Sequence, residues 1–331
     1  MLSDESSPRR RRIQPLDALV SPRFAQVATF ARLPYDRDLA DVDVAFVGVP
    51  FDDATTYRAG ARVGPSAIRE QSRLLRPYNM NIDVYPFDVL NVIDYGDVDV
   101  VPGSFVETAK NVEGVMTTLL DHGVAPLVAG GDHSMALPLL RAVHRTHGPV
   151  HLVHFDSHFD FWDQHWGQRY THGTWLRRAY EEQLLGKVLQ IGIRGPQFTR
   201  DDFQYAVDHG FRVVTLRQLE RDPEGTIRQA LASMPGDEPT YLSFDIDVVD
   251  PAYAMGTGTP EVGGLTSREA LRAIQAFVGH RLVGAEVVEV APPYDGPGAI
   301  TSLLAANLLY EMLSVMAKNT SQGLPPYARR D

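Results

Sequence analysis

From Asp43 onward the chain alternates short apolar runs with longer stretches whose apolar residues recur at helical spacing. The short runs, bounded by Gly, Pro and Asp, predict strands at Val44–Val49, Val89–Ile93, Pro126–Ala129, Val150–Phe155, Val188–Gly192, Arg212–Thr215, Tyr241–Phe244 and Val283–Val290. Helices are predicted at Pro65–Leu75, Phe105–Asp121, Leu137–Thr146, Gly173–Leu185, Arg200–His209, Gly225–Ser233, Ser267–Phe277 and Thr301–Lys318. Several strands are apolar throughout rather than on alternate residues, as expected of a parallel sheet covered by helices on both faces. The pattern therefore predicts one doubly wound α/β domain over residues 21–331, with no internal repeat. Residues 1 to about 15 are polar and carry Arg9-Arg10-Arg11-Arg12, and residues 1–20 read as a solvated, disordered tail or as a basic docking arm.

Open α/β sheets gather ligands beyond the carboxyl ends of their strands. Three predicted strands end in metal-binding residue types. Asp156-Ser157-His158-Phe159-Asp160 closes the run from Val150, and Asp245 and Asp247 close the run at Tyr241. His133 follows Leu127-Val128-Ala129 through Gly130-Gly131-Asp132. Carboxylates with a few imidazoles and no thiolate suit oxygen-preferring divalent ions. Four aspartates and two histidines are too many for one ion, so the pattern reads as a two-metal centre. Two divalent ions would balance Asp156, Asp160, Asp245 and Asp247, and would stay acidic enough to bring a bound water's pKa down to about 7. Taken singly, each aspartate also reads as a cap or turn residue, and Gly-Gly-Asp-His-Ser as a tight turn.

Other polar residues carry two readings. Glu289, near the end of an apolar strand, needs a buried partner, either a guanidinium held by parallel hydrogen bonds or a structural arginine. His172 precedes a helix and reads as a proton shuttle or as a turn residue. His154, inside a strand, reads as packed or hydrogen-bonded, and His144, His147, His209 and His280 as ordinary.

Composition narrows the picture. The 331 residues are 44% hydrophobic and 22% charged, ordinary for a globular protein. There is no cysteine, which removes disulfides and thiolate zinc sites and fits a reducing compartment. A net charge of −11 argues against a general nucleic-acid binder and favours a cationic substrate. No run is read as reaching the ~18 to 20 apolar residues of a membrane span. No apolar core follows the N-terminal basic residues, so a secretory signal is not expected and the protein is expected in the cytoplasm.

Taken in order, Gly60-Ala61-Arg62-Val63-Gly64-Pro65, the Gly130–Ser134, Asp156–Asp160 and Ser243–Asp247 motifs, Asp250-Pro251, Gly256-Thr257-Gly258-Thr259-Pro260 and Glu289-Val290-Ala291-Pro292 are similar to the ureohydrolase family. That family comprises arginases, agmatinases and related guanidino hydrolases, and the resemblance runs from Ser21 to Lys318. It implies a three-layer α/β/α fold of the arginase/deacetylase type with an eight-stranded parallel sheet, assembled as trimers or hexamers. It implies two manganese ions, with nickel as the alternative, and hydrolysis of a guanidino group to urea and an amine. Asp156 and Asp245 would bridge the ions, His133 and Asp160 would complete one site, and His158 and Asp247 the other. Glu289 would hold the guanidinium and His172 would pass a proton to the leaving amine.

The Ser21–Pro34 segment resembles the agmatinase, guanidinobutyrase and proclavaminate amidinohydrolase branch, which makes agmatine the expected substrate. Guanidinobutyrate, guanidinopropionate, a proclavaminate-type substrate and guanidine are the alternatives. Two details depart from the family pattern. Ser157 stands where alanine is usual, and Phe159-Asp160-Phe161-Trp162 is unusually bulky. With His165, Trp166, Tyr170 and Trp175 this stretch reads as an aromatic wall at the substrate's far end, or as loop packing. Glu261 is a candidate amine contact. Two rival readings are weaker. A deacetylase-like site would imply one zinc and a His-His pair, which the sequence lacks, and a noncatalytic subunit on the same fold should have lost ligands that are all present here.

Overall fold

Each predicted strand has its counterpart in the computed structural model, which describes residues 12–327. The strands are β1 (Val44–Val49), β2 (Val92–Asp97), β3 (Ala125–Gly130), β4 (Val150–Phe155), β5 (Leu185–Ile193), β6 (Arg212–Thr215), β7 (Thr240–Asp245) and β8 (Leu282–Val288). They form one eight-stranded sheet in the order β2-β1-β3-β8-β7-β4-β5-β6. Every neighbouring pair is parallel. The helices are α1 (Gly64–Ser72), α2 (Pro86–Val89), α3 (Phe105–Asp121), α4 (Ala136–His147), α5 (Trp175–Glu181), α6 (Asp201–Asp208), α7 (Leu216–Leu219), α8 (Pro223–Leu231), α9 (Ser267–Gln275) and α10 (Ile300–Ser321).

Alternate strand residues feed two cores, because successive side chains point to opposite faces. In β1, Val44 and Phe46 pack into the core shared with α1, α8, α9 and α10. Ala45, Val47 and Val49 pack into the other, with α3, α4 and α5. Three layers result, and the strands are apolar throughout because both faces are covered. Helix α10 is long and apolar enough to cross a bilayer by length and composition alone, so a run of that kind does exist. Here it lies in the core, which explains its lack of a polar face.

Several boundaries differ from the sequence pattern. Strand β2 starts three residues after the expected Val89, because Pro86 opens the helical turn α2 and the Leu90 N–H bonds back to Pro86 O. It then runs on through polar residues because Asp94 is buried against Arg69, with Nε–Oδ2 at 2.8 Å. Strand β8 stops at Val288 because Glu289 turns left-handed, at φ 62°. Arg9–Arg11 of the arginine run lie outside the described residues. From Ile13 the chain lies against the domain: Ile13 is buried and its N–H donates to Asn91 Oδ1 at 3.0 Å. The packed chain thus begins before the expected boundary at residue 21.

The order of strands places the site. The chain builds β1–β3 on one side, crosses to lay down β4–β6 on the other, and returns with β7 and β8 to fill the centre. The carboxyl ends of β3, β8, β7 and β4 are therefore adjacent, and His133, Glu289, Asp245 and Asp156 emerge side by side. The exits are crowded. A Cβ on Gly131 would lie 1.8 Å from Phe51 O, so no other residue fits where the chain leaving β3 crosses the one leaving β1.

Candidate metal centre

Two similar turns aim the carboxylates. Asp156 Oδ1 accepts the His158 N–H at 2.6 Å, and Asp245 Oδ1 accepts the Asp247 N–H at 2.8 Å. Each strand-terminal aspartate so closes an Asx-type turn and brings the side chain two residues on toward the same space. Asp160 and Glu289 adopt left-handed backbone, φ 50° and 62°, at a cost on the order of 1 kcal/mol or more each. Strain of this kind persists where the surroundings fix a side chain in place.

His133 Nδ1 lies 3.4 Å from Asp156 Oδ2, 3.2 Å from Asp160 Oδ2 and 3.2 Å from Asp245 Oδ2. His158 Nδ1 lies 3.4 Å from Asp156 Oδ1 and 3.0 Å from Asp247 Oδ2. Asp156 faces the two groups with one oxygen each, the geometry a bridging carboxylate needs. All six expected ligands are thus brought together.

Their hydrogen bonds test whether a cation fits. Ser243 Oγ donates to Glu286 Oε1 at 2.7 Å, so it must accept from His133 Nε2, also at 2.7 Å. The proton sits on Nε2, and Nδ1 presents a lone pair to three carboxylates with no hydrogen-bond partner. Only positive charge at that point, a proton or a metal ion, makes such a group tolerable. The carboxylates agree. Burial, with Asp247 and Asp156 beside it, pushes Asp245 well above the usual carboxylate range. Burial would push Asp156 up too, but His154 and His133 hold it well below. A set of oxygens and imidazoles short of positive charge fits a divalent metal, and its thiolate-free composition suits an oxygen- and imidazole-bound ion better than a thiolate-preferring one.

His154 stands within reach of the same ion, with His133, Asp156 and Asp160. Gln190 Nε2 donates to Phe159 O at 2.9 Å, so the amide is oriented to donate to His154 Nδ1 at 3.2 Å as well. His154 Nε2 then carries a proton and donates to Asp156 Oδ2 at 2.8 Å, orienting that carboxylate as the sequence reading of a hydrogen-bonded histidine expects. Ser157, in place of the usual alanine, donates from Oγ to Asp247 Oδ1 at 2.6 Å. Trp175 is buried behind the cluster, 4.6 Å from the His133 ring, and its Nε1 donates to Asp160 Oδ2 at 2.7 Å.

Glu289 and His172 form the adjacent pair. Glu289 Oε1 accepts the His133 N–H at 2.9 Å and meets His172 Nδ1 at 2.8 Å, while Oε2 is buried without a partner. No arginine pairs with it among the described residues; its ion-pair partner there is His172. The Thr56 N–H donates to His172 Nε2 at 3.0 Å, and Thr56 Oγ1 lies 2.7 Å from the same atom. Asp132 holds that loop by accepting the Ala54 N–H at 2.9 Å. Burial lowers the His172 pKa, but Glu289 outweighs it and raises the ring to about 9. Glu289→Gln removes the largest raising partner and leaves the burial, with Asp160 and Asp132 still raising the ring, so the His172 pKa in metal-free protein should fall from about 9, read by NMR titration of the imidazole. The sign follows for stability: this pair's contribution is complete below about 6.5 and is lost as pH rises through about 9.

A cavity of about 720 Å³ opens above the cluster. Of the side chains expected at the substrate's far end, Trp162, Trp166 and Glu261 line it. Tyr170 does not; it stacks on Phe105 with centroids 4.7 Å apart, because the loop turns its ring outward. Trp175 lies beneath the metal cluster rather than in the wall. The lining also includes Phe198, His165 and Asp202, but no lysine or arginine among the described residues. Sequence reasoning missed Ser243, Glu286, Gln190 and Thr56, which act through other side chains. It also missed Arg194, although an arginine directly after a buried strand is a visible signal.

Carboxylates and imidazoles converging at the carboxyl ends of central parallel strands, beneath an open cavity, define a metal-dependent hydrolase. The arginase family profile matches residues 42–314, and the chain belongs to that family, whose members hydrolyse guanidino compounds. A guanidinobutyrase of Pseudomonas aeruginosa is 46% identical over 308 residues, covering 92% of this chain and 96% of its own length. The mitochondrial agmatinase of Gallus gallus is 44% identical over 292 residues, covering 88% and 86%. The solved structure of proclavaminate amidinohydrolase from Streptomyces clavuligerus matches with a TM-score of 0.86 at 41% identity, over 90% of this chain and 99% of that one.

Proposed function

We propose that this chain hydrolyses the guanidino group of a short amine-terminated guanidine, agmatine first, to urea and a diamine. The observation that carries the reading is the pairing of a buried Asp/His cluster with Glu289 Oε2, a buried carboxylate oxygen with nothing bonded to it. A planar guanidinium supplies the N–H donors that Oε2 lacks. His133, Asp156, Asp160 and Asp245 would hold one ion and Asp156, His158, Asp245 and Asp247 the second, manganese first and nickel as the alternative. When bound, such ions supply an ionised water at neutral pH. Glu289 orients the guanidinium and keeps its carbon over the cluster. His172, which lines the cavity, carries the proton that serves the departing amine.

The far end decides between substrates. Glu261 lines the cavity with a carboxylate that has no hydrogen-bond or ion-pair partner among the described residues, which suits an ammonium group. The guanidinobutyrase likeness pulls toward a carboxylate-ended substrate, but that end would meet Glu261 and Asp202 in a cavity lined by no lysine or arginine among the described residues. Urea release by manganese-loaded and nickel-loaded protein should be measured on agmatine, guanidinobutyrate, guanidinopropionate, arginine and guanidine. Agmatine is expected to lead by about a hundredfold or more in kcat/KM, the scale of discrimination when a polar partner is missing. Guanidinobutyrate in the lead would overturn the amine assignment, and silence across the panel with both metals bound would overturn the hydrolase reading.

A further inference from the structure

Arg194 directly follows β5, and its guanidinium spends itself on backbone carbonyls. Nη2 donates to Asp247 O at 2.8 Å and to Glu261 O at 2.6 Å. Nη1 donates to Val248 O at 3.1 Å, and Nε to Val262 O at 3.1 Å. Its backbone N–H donates to Ser157 O at 3.1 Å. One residue therefore joins the turn carrying Asp156 and Asp160, the turn carrying Asp247 and the loop carrying Glu261. A planar fork of N–H donors can span two loops in this way, which a lysine ammonium cannot. No carboxylate among the described residues bonds the guanidinium, so it is not half of a structural ion pair.

Two glycines are shaped around the arrangement. A Cβ on Gly264 would lie 2.6 Å from Arg194 Nη2. A Cβ on Gly195, where φ is +74°, would lie 2.5 Å from Glu261 Oε2. The Glu261 backbone is thus clamped while its carboxylate is left free to face the cavity. The rest of that loop is anchored separately. Asp250 Oδ2 accepts the Gly263 and Gly264 N–H groups at 2.6 and 3.0 Å, and Leu265 pairs with Val249. Loss of Arg194 would then loosen the Glu261 arm and leave the loop's base in place.

We propose that Arg194 is a positioning residue that fixes the distance between the guanidinium end of the site and Glu261, and so sets the substrate chain length. This rests on the amine-ended reading above. The test is urea release from agmatine and from its homologues one methylene shorter and one longer, by wild type, Arg194→Lys and Gly195→Ala. Wild type should favour one length over its neighbours by about tenfold or more in kcat/KM. Arg194→Lys should flatten that ratio toward one, chiefly through a raised KM for the favoured chain. Gly195→Ala, which crowds Glu261 without removing an Arg194 hydrogen bond, should move the preference to a different length.

An equal loss on all three chains would mean that Arg194 only supports the fold, and would overturn the proposal. So would a wild type that hydrolyses all three without preference, which leaves the amine-ended reading standing. A wild type that acts only on carboxylate-ended guanidines would overturn both.

Discussion

Asp245→Ala is expected to abolish urea release and to strip the protein of its full metal complement, while the fold survives. Asp245 Oδ2 is one of three carboxylate oxygens around His133 Nδ1, and its Oδ1 closes the turn that presents Asp247. Its loss should therefore exceed the ~10–100-fold penalty that even an outer partner of a metal ligand carries. Metal per chain by atomic emission, with urea release after manganese loading, is the direct check.

The more discriminating part concerns stability without metal. With no cation beside it, Asp245 is a buried carboxyl pushed up by burial and by the charges of Asp247 and Asp156. A carboxyl with a raised folded pKa costs stability once pH exceeds its unfolded value of about 3.9, and costs nothing below it. Metal-free Asp245→Ala should thus melt no lower than metal-free wild type near neutral pH, and any advantage should vanish near pH 4. Manganese should raise the wild-type melting temperature and move the variant's much less. A metal-free variant that melts well below metal-free wild type would instead make Asp245 a structural residue whose turn matters more than its charge.

Legibility in the sequence followed from locality. The strands could be read because buried parallel strands are apolar on both faces, and the ligands because five sit in short Asp-x-His-x-Asp or Asp-x-Asp turns at strand ends and His133 follows a third strand end. What stayed hidden depended on contacts between distant segments. Strand β2 ran past its apolar run because Arg69, from α1, neutralises Asp94. Glu286 gave no signal within its own strand, and it is Ser243, approaching from β7, that donates to it. Tyr170 belonged by composition with Trp162 and Trp166, yet Phe105 from α3 takes its ring. Helix α10 shows the limit of a composition rule, since an all-apolar helix is equally at home in the core of a three-layer fold. Strand order is the largest such gap. No local pattern says that β7 and β8 return to the centre, and that return alone sets Glu289 beside His133.

Glu289→Gln is the second substitution expected to have a large effect, and it should act on a different step. Glutamine keeps the size of the side chain and an oxygen for the His133 N–H, so the His133–Asp156–Asp160–Asp245 cluster should keep its metal. What it removes is the charge that Oε2 offers a guanidinium in a buried setting. Truncating one partner of such a pair costs about 2–5 kcal/mol, or roughly thirtyfold to several thousandfold in kcat/KM. Because Glu289 also bonds His172 Nδ1, part of the loss should fall on kcat through the proton transfer. The two parts separate by kinetic parameter: the lost guanidinium contact should raise KM for guanidine and agmatine alike, and the lost His172 partner should lower kcat. Near-normal metal content with weakened inhibition by guanidinium-bearing substrate analogues would place Glu289 on the substrate. Lost metal or a collapsed fold with unchanged affinity would place it in the scaffold, holding the His133 N–H and nothing more.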